Sequence, residues 1–146
     1  MNAALQERIT QYMEKCNSCT IATVSADGQP SASTVFFKNR GMNIFFNTGR
    51  DSRKVRNILE NPRVSIAMQA GPPPTKDRDI KGIQYFGKGR IVSSPNASEV
   101  PKAVMARHKA FDSATAGNSV IVEVTPDKVY LIDYSLGFRH RDLIGF

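Results

Sequence analysis

FFNTGRDSRKVRNILENP, residues 45–62, is the stretch on which the reading of this chain turns. Phe45 and Phe46 end an apolar strand and Gly49 breaks it. Val55, Ile58 and Leu59 then recur at the spacing of one buried helical face. Asp51 or Ser52 stands where a side-chain oxygen caps the free N–H groups of a helix. Asn61-Pro62 stops the helix, because a residue before proline disfavours the helical backbone. Arg53 and Lys54 follow the cap directly. A strand, a tight loop and a helix start carrying two cations make a place to hold a phosphate, since helix N-termini attract anions. A solvated basic turn is the plainer reading of the same residues, and local composition alone does not separate the two.

Working outward, Leu5, Ile9, Tyr12, Met13 and Cys16 mark an amphipathic first helix. Cys19 to Ser25 reads as a strand, Ala26-Asp27-Gly28-Gln29 as a hairpin turn, and Ser31 to Lys38 as the return strand. Asn39-Arg40-Gly41 turns the chain into a third strand, Met42 to Asn47. Three short-linked antiparallel strands in succession point to a barrel or sandwich. Beyond the helix, Arg63 to Gln69 is a fourth strand and Gly71 to Asp79, with three prolines, a surface loop. Ile80 to Ser93 is a long strand expected to bend or bulge at Gly87 and Gly89. Pro95 to Ala114 reads as a helix with Val100, Val104, Arg107 and Phe111 on one stripe. Ser119 to Thr125 and Lys128 to Asp133 read as a last hairpin turned by Pro126-Asp127. The fold class is therefore mainly β with flanking helices, about seven strands and about three helices in one domain, 1–146.

Bulk properties narrow the function. With 40% hydrophobic and 23% charged residues the chain is not a disordered one. No apolar run approaches the ~20 residues that span a bilayer, and MNAALQERIT has no apolar signal core. A cytoplasmic protein without a membrane partner is the expectation. The net charge of +7 invites a nucleic-acid reading. The cations are scattered, however, and no recognition-helix, zinc-finger or RNA-binding signature accompanies them, so nucleic acid is disfavoured as a partner. Cys16 and Cys19 form a C-x-x-C that closes a helix before a strand, the reverse of a thioredoxin-type site. Cys16 fits the apolar face of the first helix, and no set of further ligands for a metal accompanies the pair.

Four ordered pieces, STVFFK (33–38), GMNIFFNT (41–48), SRK (52–54) and NPRVSI (61–66), resemble the pyridoxamine 5′-phosphate oxidase-like family of flavin-binding split β-barrels. A looser similarity runs from about Cys19 to Ser93. The resemblance implies an antiparallel split barrel, FMN as cofactor, and a homodimer with the flavin at the subunit interface. It implies that the strand Ser33, Thr34, Val35, Phe36 to Lys38 lies along the flavin ring and phosphate, with Lys38 neutralising the phosphate. It sets Phe46-Asn47 against a Tyr-Thr pair that meets the flavin, with Asn47 or Thr48 left to donate hydrogen bonds. Ser52, Arg53 and Lys54 match the phosphate-binding piece, and Gln84 stands two residues from the position of a ring-contacting glutamine. The family arginine at the start of the strand is replaced by Ser33.

The chain has no tryptophan, and its ending YSLGFRHRDLIGF does not reproduce the family motif that recognises pyridoxal phosphate. The expectation is thus an FMN-dependent oxidoreductase for a small organic substrate, distinct from a pyridoxamine-phosphate oxidase. Because the cofactor carries the redox chemistry and no side chain stands out as acid, base or nucleophile, a non-enzymatic electron carrier is the alternative. A deazaflavin or haem barrel stands beside it. No metal site is expected.

Overall fold

A computed structural model describes residues 2–96 and 98–146. Helix α1 (Ala3–Glu14) is followed by strands β1 (Ser18–Val24), β2 (Pro30–Phe36), β3 (Lys38–Arg40) and β4 (Asn43–Gly49). Helix α2 (Arg53–Glu60), β5 (Arg63–Met68) and β6 (Lys81–Ile91) come next. Helix α3 (Lys102–Ala114), β7 (Ser119–Asp133) and β8 (Arg141–Gly145) complete the order. All strand pairs are antiparallel, in the order β2-β1-β5-β6-β7-β4-β3, with β8 beside the C-terminal half of β7.

The topology follows from one covalent fact. β2 and β3 stand at opposite ends of the sheet, yet only Phe37 separates them in the chain. The sheet must therefore curl until its two ends meet. No ladder joins β2 to β4, so the barrel is split along that seam. The interior is filled by Ile9 and Met13 of α1, by Phe37 between β2 and β3, and by Ile21, Ile44, Phe46, Ile66, Tyr85 and Val122 of the strands. Side chains alternate across a strand, so Phe45, next to Phe46, faces outward and packs with Val92, Val100, Val104 and Ile121 under α3.

Several local readings change. Pro126-Asp127 does not turn a hairpin; β7 runs straight through it. Gly87 pairs with Pro126 and Phe86 with Lys128, which leaves Asp127 as the extra residue of a bulge. A bulge absorbs the missing proline N–H, and neither Pro126 nor Asp127 supplies the positive φ of a two-residue hairpin turn. β8 emerges from a tail read without structure. Leu59 is 70% exposed, and Asn57 takes its place on the buried face of α2. The third helix begins at Lys102, after Pro101, because proline disfavours a helical residue before it. Ala97, within the expected helix Pro95–Ala114, lies outside the described residues.

The bulge explains the glycine opposite it. A Cβ on Gly87 would collide with the Thr125 carbonyl oxygen and press on the Tyr85 ring. Gly87→Ala is expected to cost about 1–3 kcal/mol through this overpacking, read as a lower denaturation midpoint. Gly145→Ala, whose Cβ meets nothing within 4 Å, serves as the control and should leave the midpoint within about 0.5 kcal/mol of the parent.

Candidate functional site

The split seam exposes an edge. The Phe37 N–H donates to the Asn17 carbonyl at 3.2 Å, extending the β1–β2 ladder by one pair. Alternate residues of an antiparallel ladder turn their main-chain groups toward the partner. Those of Ala32, Thr34 and Phe36 therefore face the open side of β2. An edge of free N–H and C=O groups is ready to pair with something else.

Across the seam, β4 leads into the tight loop before α2. The Ser52 N–H donates to the Gly49 carbonyl (3.0 Å), and the Arg50 N–H to the Asn118 carbonyl (2.9 Å). Of the two expected caps it is Ser52 that serves: its Oγ accepts from the Val55 N–H at 3.4 Å. Thr48 Oγ1 contacts the same hydroxyl at 3.4 Å, tying the strand end to the cap. α2 is docked by Val55 and Ile58 and by a buried polar tie, Asn57 Nδ2 donating to Thr23 Oγ1 of β1 at 3.0 Å. That docking presents Arg53 and Lys54 at the mouth of the seam.

The strand edge and the helix start bound a cleft of about 600 Å³, lined by Thr34, Val35, Phe36, Asn47, Thr48, Gly49 and Lys54 on one side and Arg107, Ala110 and Phe111 of α3 on the other. Lys54 also lines a neighbouring pocket of about 260 Å³ with Ser31, Ala32, Ser33, Arg53 and Arg56. At the far end Phe36 and Arg107 border a third pocket of about 270 Å³, with Lys38 and Asn17. The Arg107 guanidinium stacks on the Phe36 ring, 4.1 Å from its centroid. Lys38 Nζ donates to Asn17 Oδ1 at 3.3 Å.

Nine of the residues singled out in the sequence line these pockets; Ser52 stands behind them as the helix cap, and Phe46 and Gln84 lie elsewhere. The Phe46 side chain is fully buried in the barrel interior, so it offers nothing to the cleft; Asn47 and Thr48 do. Gln84 lies on the outer sheet face, in a groove with Tyr134, Arg139 and Arg141. Lys38 sits at the end of the cleft away from α2.

Charge sets the chemistry. Among the described residues the ion pairs are Arg8–Asp142, Lys81–Asp133, Lys88–Asp127, Arg90–Glu123 and His140–Asp142. Lys38, Arg53, Lys54, Arg56 and Arg107 belong to none of them, and no carboxylate lines the three joined pockets. Such a cleft focuses a positive field and concentrates anions. Its lining holds no His or Cys either. Burial pushes the Cys19 thiol up to about 12 and raises Cys16 as well, so neither is a thiolate nucleophile at neutral pH. Among the described residues no group of three His, Cys, Asp or Glu side chains is placed to hold a metal ion, and no helix is long and apolar enough to cross a membrane.

Comparison with known proteins places this geometry. The sequence profile described as Pyridoxamine 5′-phosphate oxidase matches residues 5–133. The chain belongs to this family. The pyridoxine/pyridoxamine 5′-phosphate oxidase of Alcanivorax borkumensis is 43% identical over 110 residues, 68% of this chain and 50% of that one. The Cupriavidus necator enzyme of the same name is 41% identical over 63 residues, 41% of this chain and 29% of its own. The chain thus spans half or less of these curated relatives. A heme binding protein from Mycobacterium smegmatis shares the fold with a TM-score of 0.78 at 17% identity, covering 99% of this chain and 59% of that one. A pyridoxamine 5′-phosphate oxidase-related, FMN binding protein from Nostoc punctiforme does so with 0.62 at 14%, covering 98% and 93%. The same fold is thus found in one protein named for haem and another named for FMN.

Sequence reasoning missed Arg107, Ala110 and Phe111 as cleft residues. A cation on the otherwise apolar stripe of α3 was the available signal, because a helical stripe buried throughout has no use for arginine.

Two outcomes follow. Asn57→Ala should destabilise by about 1–3 kcal/mol, since it strands the buried Thr23 hydroxyl, and Asn57→Leu with Thr23→Val should recover part of that loss; denaturant unfolding reads both. Burial raises the pKa of Cys16, Cys19, Tyr12 and Tyr85 alike. Raised folded-state values mean stability held below the unfolded value and lost as pH climbs. For Cys19 the window runs from its ordinary 9.0 to about 12. Stability should therefore fall from about pH 9 upward, and Cys19→Ala should flatten the alkaline limb of the unfolding midpoint against pH.

Proposed function

We propose that the protein binds FMN in the split-barrel cleft and works as an oxidoreductase on a small organic anion, distinct from pyridoxamine-phosphate oxidases. The observation that carries this reading is the joining of a cationic helix start, a free strand edge and a cleft of about 600 Å³ in one continuous site. The residues fit the cofactor. Ser33, Ser52, Arg53 and Lys54 would hold its phosphate, arginine by parallel hydrogen bonds and lysine as a point charge. The free main-chain groups of Thr34 and Phe36, with Asn47 and Thr48, would meet its polar edges, while Val35 lines the same strand. Bound there, FMN supplies hydride or single-electron chemistry.

The chain's own residues then bind and orient. Arg107 and Lys38 stand free of carboxylates at the far end of the cleft, where they suit an anionic substrate rather than the cofactor phosphate. The absence of any Asp, Glu or His from the cleft lining favours a second reading, an FMN-binding electron carrier that needs no proton relay. We also infer a homodimer with the flavin at its interface. The outer sheet face supports it: Thr34, Thr20, Ala67, Gln84, Tyr130 and Leu143 are register neighbours in one transverse row without a charge. Leu136 and Phe138 stand exposed beside this face, Phe138 at 81%. Two free buried cysteines suit a reducing cytoplasm.

The visible spectrum of the purified protein and the chromophore released on denaturation test the cofactor. FMN is the expected product, and a Soret band would replace this reading with haem. Arg53→Ala with Lys54→Ala should abolish retention of FMN, two charge-assisted contacts being worth ~3–6 kcal/mol together, while the circular dichroism spectrum stays unchanged. Full retention by the folded double variant would refute the site. Turnover with a nicotinamide donor separates enzyme from carrier.

A further inference from the structure

We propose that Arg56 is a further ligand of the cofactor phosphate, filling the role for which the family pattern has an arginine where this chain has Ser33. The inference rests on the flavin reading above. Ser33 is half-buried on β2 and brings only a hydroxyl to the pocket beside α2. Arg56 lines that same pocket with Ser31, Ser33, Arg53 and Lys54.

Its placement is specific. Arg56 lies three residues after Arg53, and residues three apart share one side of a helix. Helical side chains lean toward the N-terminus, and this one does so: its Nη1 donates to the Asp51 carbonyl at 2.6 Å. The guanidinium of this exposed side chain is thereby carried back over the first turn of α2, beside Arg53 and Lys54. A guanidinium offers five N–H donors, and one is used on that carbonyl; the others have no protein acceptor among the described residues.

The pocket therefore gathers three cations and two serine hydroxyls without a carboxylate. Like charges this close repel one another, and a dianionic phosphate removes that cost while taking up the unused donors. Lys54 is shared with the larger cleft. A ligand with its phosphate at the Ser33 end thus extends along the free edge of β2 toward Phe36. The arginine absent from the strand has been replaced from the helix, across the pocket.

Titration with FMN and with riboflavin, which lacks the phosphate, tests the assignment by flavin fluorescence. Arg56→Ala should bind FMN about tenfold more weakly, as expected for one charge-assisted contact, with riboflavin affinity unchanged. Arg56→Lys should fall between, since it keeps the charge and loses the fork. Ser33→Arg in the Arg56→Ala background should restore FMN affinity. Equal weakening toward both flavins would make Arg56 a brace for the loop, and no weakening at all would leave it a surface cation; either result overturns the assignment. Wild-type protein that takes up neither flavin overturns the flavin reading and the assignment with it.

Discussion

The single residue between β2 and β3 constrains everything else in this molecule. Hydrogen bonding alone would allow an open, twisted sheet with β2 and β3 far apart at its two edges. Continuity through Phe37 forbids that. Bringing the edges together buries Phe37 in the interior, sets β2 facing β4 across a seam, and leaves the seam without a ladder. The site is the consequence of an incomplete closure: a complete barrel would have used the edge of β2 on itself.

Around that seam the molecule separates neutral and charged work. The interior is apolar, relieved by a few tied polar groups such as the Tyr85 hydroxyl, which lies 2.8 Å from the Met42 carbonyl. Carboxylates of the described ion pairs lie elsewhere, on β7 and β8, and neutralise Lys81, Lys88 and Arg90 of β6 and the neighbouring Arg8 and His140. The cations of α2 and α3 are left without such partners. Part of the net charge of +7 is thus concentrated where the sheet is open, and the charge that looked diffuse along the sequence has a direction in space.

What was legible in the sequence tracks the range of the interactions involved. α1 could be read because its periodicity is local, and the β1–β2 hairpin because Gly28 carries the positive φ its turn requires. The helix start at Ser52 was readable because capping spans only three residues. Pro126 misled because its tolerance depends on Gly87, nearly forty positions away, and a bulge is a property of two strands at once. Leu59 and Asn57 exchanged roles for a similar reason. The composition of α2 says which residues are apolar, but the buried hydroxyl of Thr23 decides which face is inward. The α3 wall of the cleft was hidden likewise, since it meets β2 only after the sheet has curled.

The uninterrupted run of β7 has a consequence for the order of assembly. This one strand pairs with β4, β6 and β8, so the β1-β5-β6 half and the β3–β4 half share no ladder until residues 119–133 exist as chain. During synthesis, closure therefore waits until residues 119–133 have been added to the chain. Until then, the apolar faces of Ile21, Ile66 and Phe46 wait uncovered. Such long-range pairing is slow and exposes strand edges to other chains. β7 is therefore the segment whose arrival lets the two halves close and takes those faces and edges out of reach of other chains.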